Sequence, residues 1–332
     1  MLHKLGKIWR PAVFQGGSKK GNYFEGWFYK IVDKSGANTM ALIPGLFIAD
    51  NEADSHSFVM VLDAETHLST YHSYPINEFS ASSSKLDIRV GANQFRADAF
   101  EIHIDSEKRS VHGKISLGEF TPWPVTLQSP GVMGWYAYAP FMQCYHGVLS
   151  FDHSVDGQLK VNQHEITFDG GRGYIEKDWG QSFPSAYVWM QSNHFDKPGV
   201  SFMASVANVP WLRSSFRGFI IGLQMNGTLL RFATYTGAVL ENCDISKKHV
   251  RISVQNKKYR LTAETERTDG GILHAPYGLT MTPKVSETLG STIKLELYEK
   301  TSRGEKLVFS DTGRHAGLDV NGALEEIRIK SD

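Results

Sequence analysis

Short stretches rich in Val, Ile, Phe, Tyr and Thr dominate the chain, and Gly, Asn or Asp turn residues separate them. Such stretches are typical of β-strands, because branched and aromatic side chains suit a pleated, half-buried surface. Asn226-Gly227 joins two of them and predicts a tight hairpin, since both residues accept a positive φ. Two further hairpins are predicted. The first pairs residues 23–32 with 37–43 through a turn at 33–36, and the second pairs residues 146–154 with 158–168 through a turn at 155–157.

Helical periodicity is almost absent, although Pro210–Arg217 is compatible with one helical turn and 323–330 with either strand or helix. Short strands with turn signals every roughly 8–12 residues indicate β-sandwiches or β-barrels. The 332 residues suffice for two such domains. We therefore predict an all-β fold of two antiparallel β-barrel or sandwich domains in tandem, residues 1–168 and 169–332, divided at a Gly-rich passage. The Pro-rich passage 121–131 is compatible with a long loop inside the first domain.

Charge is balanced, with 35 Lys and Arg against 35 Asp and Glu. Binding to nucleic acid normally needs a basic surplus on one face, and stable anchoring to an anionic membrane needs a polybasic patch, so nucleic-acid binding and membrane anchoring are excluded. The start of the chain lacks the apolar segment of about 7–15 residues that marks a secretory signal. No stretch approaches the roughly 20 apolar residues of a spanning helix. We expect a cytoplasmic protein whose two Cys form neither a disulfide nor a zinc site.

Signatures of cofactor and metal chemistry are missing from the sequence. Neither GxSxG nor GxxxxGK[ST] occurs, and Glu176 occupies the position where a dinucleotide fingerprint needs its third glycine. An HExxH pattern begins at His164-Glu165 but fails at Phe168. We therefore expect no metal and no cofactor, and chemistry that uses side chains alone.

The first candidate segment is 24–30, where Glu25, Trp27 and Tyr29 share one face of an extended strand. If that face points into a barrel, Glu25 lies in an apolar cavity, which raises the pKa of a carboxyl group. The alternative is a strand end at which Glu25 is solvated or paired with an Arg.

The second candidate segment is 173–184, where Tyr174, Glu176 and Asp178 share one face and Trp179 points to the other. Two carboxylates two residues apart repel each other, so one is protonated or held by a cation such as Arg172. The alternative is a structural corner in which Trp179 packs and Asp178 bonds turn amides.

The third candidate segment is 187–195, where Tyr187, Trp189, Gln191 and Asn193 share one face. Buried amides need partners, because each unsatisfied group costs about 1–3 kcal/mol, and a polar ligand would supply such partners. His194 lies on the other face, where a satisfied structural histidine is the alternative to a catalytic one.

Aromatic residues make up 12% of the chain, including seven Trp and 13 Tyr. Their large apolar surfaces with a polar edge suit pockets as well as cores. Trp135 and His146 lie in two more aromatic segments, 134–138 and 141–147, which are compatible with a cavity lining or with core packing.

The motifs FEGWFYK at 24–30, EKDWGQSFP at 176–184 and YVWMQSN at 187–193 resemble, in this order, the tocopherol cyclase family. LHAPYGLT, IKLELYEK and HAGLDVNG continue the likeness, which covers most of the chain. Asp178 stands where the plant enzymes typically carry Asn, and His194 where they are apolar, so the substrate can differ from a plant prenylquinol. The Trp-Gly element with an acidic residue before it is also similar to carotenoid hydratases and the wider two-domain lipocalin-like group, which includes pericyclases.

This resemblance implies two lipocalin-like β domains and a cofactor-free cyclisation of a prenylated hydroquinone to a chromanol. An acid protonates a trisubstituted alkene, and the phenol oxygen captures the tertiary cation. Aromatic faces stabilise a desolvated cation by roughly 0.5–2 kcal/mol each, and an apolar pocket keeps the acid protonated near neutral pH. Water must be excluded, because it would capture the cation and give an alcohol.

Within this chemistry we expect Glu25 or Asp178 to donate the proton and His194 to orient the phenol or accept its proton. The partner is a lipophilic small molecule, which a transient membrane contact would supply. A non-enzymatic carrier of an isoprenoid or lipid, an alkene hydratase and a pericyclase remain alternatives. The residues expected to bind substrate are Trp27, Tyr29, Trp135, His146, Glu176, Trp179, Trp189, Gln191 and Asn193.

Overall fold

The structure is a computed structural model that describes residues 6–17, 19, 21–140, 142–211, 213–277 and 280–329. The chain forms two compact units, the first made of Met1–Phe183 and Gly271–Lys284 and the second of Pro184–Gly270 and Val285–Asp332. Nearly all regular structure is antiparallel β-sheet, which confirms the all-β fold class. Among the described residues, no helix is long and apolar enough to cross a membrane.

The first unit holds a 12-stranded sheet with the order β4-β3-β2-β1-β12-β10-β9-β8-β7-β6-β5, and β11 pairs with β10. The hydrogen bonds of the described residues leave β4 and β5 as separate edges and do not close this sheet into a barrel. Its strands are β1 (Tyr23–Val32), β2 (Thr39–Ile48), β3 (His56–Asp63), β4 (Ser69–Pro75), β5 (Phe79–Ala81), β6 (Asp87–Val90), β7 (Asn93–Arg96), β8 (Ala99–Asp105), β9 (Ser110–Leu117), β10 (Cys144–Val161), β11 (His164–Thr167) and β12 (Gly171–Gly180).

The second sheet has 10 strands in the order β16-β15-β14-β13-β22-β21-β19-β18-β17, and β20 pairs with β21. Short 3₁₀ helices lie at Glu52–Asp54, Ile76–Glu78, Gly131–Tyr138, Thr234–Thr236 and Leu324–Glu326. The strands are β13 (Ala186–Ser192), β14 (Ser201–Trp211), β15 (Ser214–Met225), β16 (Thr228–Ala233), β17 (Val239–Ile245), β18 (His249–Gln255), β19 (Tyr259–Glu266), β20 (Gly271–Tyr277), β21 (Thr280–Thr301) and β22 (Gly304–Gly322).

Each sheet directs one set of alternating side chains into an apolar core. In the first unit, Trp27, Tyr29 and Ile31 of β1 enter a core with Phe95 and Phe100. In the second unit, the core includes Val188 and Met190 of β13. Since successive side chains point to opposite faces of a strand, the residues between these core positions lie on the other face of each sheet.

Two predicted turns have different outcomes. Asn226 and Gly227 have φ values of 51° and 74°, as the predicted tight hairpin requires. The predicted turn at 155–157 is wrong, because β10 runs unbroken from Cys144 to Val161. Gly157 serves close strand packing there, since a Cβ at this position would lie 2.3 Å from the carbonyl oxygen of Lys114 on β9.

Pro210–Arg217, which was compatible with one helical turn, instead belongs to the hairpin of β14 and β15, with Pro210 opposite Ser215. The pairing of β13 with β14 ends at Ala207, so the missing N–H of Pro210 removes no bond from β13. Near the chain end, a 3₁₀ helix is followed by a bridge between Ile329 and Cys243.

The division of the chain differs in position from the predicted boundary at 168/169. That position lies between β11 and β12, both in the first unit. β12 belongs to this unit because it pairs with β1 on one side and β10 on the other. The Pro-rich passage 121–131 lies between β9 and β10 and is a loop with a short 3₁₀ helix at its end.

Candidate active site

Three central strands of the first unit bring polar motif residues together on the face opposite the apolar core. Asp178 of β12 lies opposite Gly26 of β1 and His146 of β10. Glu176 lies opposite Phe28 and Val148 in the same way. The side chains of His146, Glu176 and Asp178 therefore meet, although His146 lies on a different strand and far away in sequence.

These residues form a connected group with Tyr174, which we call the His146 network. His146 Nδ1 lies 2.8 Å from Asp178 Oδ1, and His146 Nε2 lies 3.5 Å from Glu176 Oε2. Tyr174 donates its hydroxyl hydrogen to Glu176 Oε2 at 2.5 Å. The order in space is therefore Asp178, His146, Glu176, Tyr174, with an imidazole between two carboxyl groups.

Electrostatics keep the imidazole of His146 charged. Burial alone would lower its pKa, but the carboxylates of Asp178 and Glu176 outweigh that effect and raise the pKa to about 9. Burial, reinforced by Glu176, raises the pKa of Tyr174 well above its usual value. The network thus holds an imidazolium and a neutral phenol at neutral pH.

The surroundings of the network combine apolar and ionisable groups. Burial, together with Asp178, raises the pKa of the Cys144 thiol well above its usual value, so Cys144 stays protonated. Lys30, fully buried, is the cross-strand partner of Tyr174, and Phe28, also buried, is that of Glu176. His146 Nε2 is buried and makes no hydrogen bond within the described residues.

Oxygen and nitrogen atoms of His146, Glu176 and Asp178 all lie within 4.8 Å of one another. A nitrogen and two carboxylates are also ligands that divalent metals accept. Sequence spacing gave no sign of this group, because its members come from two paired strands. The same arrangement suits proton transfer, since a charged imidazole lies beside a buried carboxyl group.

Glu25 lies on the opposite face of the same strands and is fully enclosed. Its carboxylate is 2.6 Å from Lys177 Nζ, and neither side chain is exposed (0% each). It also accepts hydrogen bonds from the backbone N–H groups of Gln15 and Gly16 and from the Tyr23 hydroxyl at 2.5 Å. Glu25 therefore has donors on every side, and this geometry favours a structural role, while its role as proton donor stays a prediction.

Lys177 and Trp27 complete the attachment of the N-terminal segment, residues 11–16. Lys177 Nζ donates to the carbonyl oxygens of Pro11 and Val13 at 2.9 and 2.7 Å. Trp27 Nε1 donates to the Ala12 carbonyl oxygen at 3.1 Å. Burial lowers the pKa of Lys177 to about 8 against the opposing effect of Glu25. Trp27 of FEGW and Lys177 of EKDW thus hold the N-terminal segment against one face of the sheet.

The remaining aromatic candidates of the first unit have separate environments. Trp179 stacks on Tyr145 at 5.6 Å, and Lys177 Nζ lies 4.7 Å from the ring centres of both Trp27 and Trp179. Tyr29 is in the core. Trp135 is 49% exposed and stacks on its neighbour Tyr136. Phe141, in one of the two aromatic segments, and Gly278 and Leu279 of LHAPYGLT lie outside the described residues.

The candidates of the third segment belong to the second unit. Trp189 and Gln191 are buried on the face opposite the core, and Trp189 lies across from Asp319 of β22. Asn193 is also buried, and its Oδ1 lies 2.9 Å from His194 Nδ1. Both amide atoms of Gln191 are buried without a hydrogen bond within the described part of the chain, at a cost of about 1–3 kcal/mol per unsatisfied group.

The shared face of Tyr174, Glu176 and Asp178 was predicted, and it carries the network. The expected cation Arg172 instead forms an ion pair with Asp152 at 2.7 Å, and His146 takes the place between the carboxylates. Sequence reasoning missed Lys177. Its position between Glu176 and Asp178 was the available signal, because alternation along a strand directs its side chain to the other face. It also missed a pair of buried carboxyl groups that lie opposite each other, Asp319 of β22 and Glu287 of β21. The HAGLDVNG motif contains Asp319.

Comparisons with known proteins agree with these motifs. A family model described as tocopherol cyclase-like matches residues 103–322, more than half of the chain. The probable chloroplastic tocopherol cyclase of Oryza sativa subsp. japonica is 27% identical over 209 residues, which are 60% of this chain and 44% of the rice protein. The chloroplastic tocopherol cyclase of Zea mays is 28% identical over 200 residues, 57% of this chain and 41% of the maize protein. The matched part therefore spans less than half the length of these relatives.

Solved structures are similar in fold. CghA alone and CghA with Sch210972 each match 91% of this chain and 89% of their own, with TM-scores of 0.58 and 0.57. The sequence identity is 9% in both cases, so this likeness shows a shared fold and nothing about the reaction.

Proposed function

Because the chain belongs to the tocopherol cyclase-like family, we propose that it is a cyclase that closes a chromanol-type ring on a prenylated hydroquinone or a related isoprenoid. The His146 network carries this proposal, since it supplies a buried carboxyl group beside a charged imidazole. The names of the rice and maize relatives support the same substrate class. A cytoplasmic location and a transient membrane contact remain predictions.

Glu176 is the group we assign as proton donor. Its Oε2 lies 3.5 Å from His146 Nε2, so a proton can pass from the imidazolium through this carboxyl group to the substrate. After donation, the Tyr174 hydroxyl stabilises the carboxylate through its 2.5 Å hydrogen bond. Asp178 fixes the ring of His146 through Nδ1, which makes Asp178 a positioning residue in this proposal.

The reaction balances without an oxidant or reductant. Glu176 passes the proton of the His146 imidazolium to one alkene carbon, a C–H bond forms, a tertiary cation develops on the other carbon, and the imidazole is left neutral. The phenol oxygen then forms the C–O bond, and its proton returns through Glu176 to the neutral imidazole of His146, which restores the starting state. Phe28, buried across from Glu176, offers an aromatic face for the cation. Substrate and product are isomers.

Incubation of the purified protein with a prenylated hydroquinone in D₂O under anaerobic conditions tests the proposal. We expect a chromanol that carries one deuterium at the former alkene carbon. Recovery of bound but unchanged hydroquinone would favour a carrier, and a tertiary alcohol would favour a hydratase. Either result in place of the chromanol would overturn the cyclase assignment.

A further inference from the structure

A second buried polar position lies in the second unit, at Gln191 on β13. Gln191 shares a strand face with Tyr187 and Trp189, while Val188 and Met190 point into the apolar core. Its side chain is 0% exposed, and within the described residues neither Oε1 nor Nε2 has a hydrogen-bond partner. A strand position at the centre of a sheet tolerates many apolar side chains, so an unpartnered amide here points to a partner outside the chain.

The neighbours of Gln191 leave its amide with an aromatic wall and no polar contact across the strands. Its cross-strand partners are Gly317 on β22 and Met203 on β14. Gly317 makes room for Trp189, because a Cβ there would lie 2.6 Å from the indole ring. No polar side chain therefore lies directly across from the amide on either neighbouring strand.

Charge on the same face limits which ligand can bind. Asp319 lies across from Trp189 and from Glu287 of β21, and both carboxyl side chains are buried. The Tyr187 hydroxyl donates to Asp319 Oδ2 at 2.6 Å. Negative charge on this pair of carboxyl groups disfavours an anionic ligand by Coulomb repulsion, and its oxygen atoms favour a neutral ligand with hydroxyl donors.

We propose that Gln191 and Trp189 form a binding site for a neutral phenolic ring. Gln191 Oε1 accepts a hydrogen bond from a ring hydroxyl, Nε2 donates to a ring oxygen, and the ring packs against the Trp189 indole. The choice of a hydroquinone as ligand rests on the proposed function, whereas the unpartnered amide and the indole stand independently of it.

Calorimetric titration with methylhydroquinone, which lacks the isoprenoid chain and cannot cyclise, tests the site. The Gln191→Leu variant should raise the Kd at least tenfold, while its resistance to urea stays equal to wild type or increases, because a buried unsatisfied amide is removed. Gln255→Leu is the matched control, since Gln255 donates to Glu241 and accepts from Lys300. This control should lose stability and keep the wild-type Kd.

Three results would overturn the inference: no heat of binding with the wild-type protein at millimolar probe, an unchanged Kd in Gln191→Leu, or a Gln191→Leu variant that loses stability but keeps its affinity. The last result would identify Gln191 as a structural amide held by buried water. Failure of the proposed function gives a different result. If the Kd of the probe depends on Gln191 but no chromanol forms, the binding site stands and the cyclase proposal fails. If chromanol forms and Gln191→Leu binds the probe with the wild-type Kd, only the Gln191 site is contradicted.

Discussion

Glu25 and Glu176 lie on neighbouring strands of one sheet but on opposite faces, and their surroundings differ sharply. Glu25 is fully enclosed by Lys177, two backbone N–H groups and a tyrosine hydroxyl. Glu176 has the Tyr174 hydroxyl on one side and His146 at 3.5 Å on the other. A carboxylate surrounded by fixed donors stabilises the fold, whereas one beside a charged imidazole has a proton within reach.

Loss of the Lys177 charge should have the largest effect on stability. Lys177→Met leaves the Glu25 carboxylate buried without its cation and frees the carbonyl groups of the N-terminal segment, at a cost of about 3–5 kcal/mol in the free energy of unfolding. Urea unfolding measures this change. Lys160→Met, on the exposed side of β10, is the control and should stay within about 0.5 kcal/mol of wild type. If Lys177→Met loses as little free energy of unfolding as the control, a structural role for the Lys177–Glu25 ion pair is contradicted.

The His146 network should stabilise the fold only while His146 is charged. Its pKa is raised in the folded state to about 9 from 6.5, so this stabilisation is complete below pH 6.5 and is lost as pH rises through about 9. The unfolding free energies of wild type and His146→Gln should therefore differ on the order of 3 kcal/mol at low pH and converge above about pH 9. Urea titrations at several pH values measure this difference. A difference that does not change with pH would contradict the charged imidazolium.

Asp178→Asn should distinguish the two effects of Asp178 on His146, the orientation of the ring and the electrostatic increase of its pKa. The amide oxygen of the introduced side chain can still accept from His146 Nδ1, but the loss of a carboxylate lowers the pKa of His146 from about 9. In wild type, turnover should fall as pH rises through about 9, because the imidazolium no longer supplies a proton. In the variant this fall should begin about one pH unit lower, seen in kcat over a pH series. Complete loss of activity at every pH would make Asp178 the proton donor instead.

Trp27→Phe should have the smallest effect, because it removes one hydrogen bond to the Ala12 carbonyl while it keeps an aromatic ring beside Lys177. We expect a loss of about 1 kcal/mol in stability and unchanged turnover. Thermal unfolding and the initial rate of cyclisation measure the two quantities. A strong loss of turnover in a stable variant would place Trp27 against the substrate.

Alternation along single strands could be predicted from the sequence, and partners across strands could not. The period of two placed Tyr174, Glu176 and Asp178 on one face, and the structure brings the first two into a hydrogen bond. His146 was a candidate from its aromatic segment, but its place between two carboxyl groups, like the contacts of Lys177, became visible only through the pairing of β10 and β1 with β12, which is a long-range property. Arg172 was the expected cation, but it pairs with Asp152 on the neighbouring strand β10.

Turn prediction had a similar limit. Asn226-Gly227 determines a hairpin locally, because both residues adopt positive φ. Gly157 followed an Asp in the same way, yet the chain continues straight there, since β9 approaches too closely for any side chain. The meaning of a glycine within a strand depends on its neighbour in space, which sequence alone does not supply.

Initial rates of chromanol formation per folded molecule, measured for Glu176→Gln and Glu25→Gln side by side, test the central claim most directly. Glu165→Gln, an exposed glutamate on β11, is the control. We predict that Glu176→Gln loses roughly 10²–10⁴-fold in rate while its melting temperature stays close to wild type. Glu25→Gln should melt at a clearly lower temperature and keep its rate. A fast Glu176→Gln together with a folded but inactive Glu25→Gln would contradict the assignment of the proton donor.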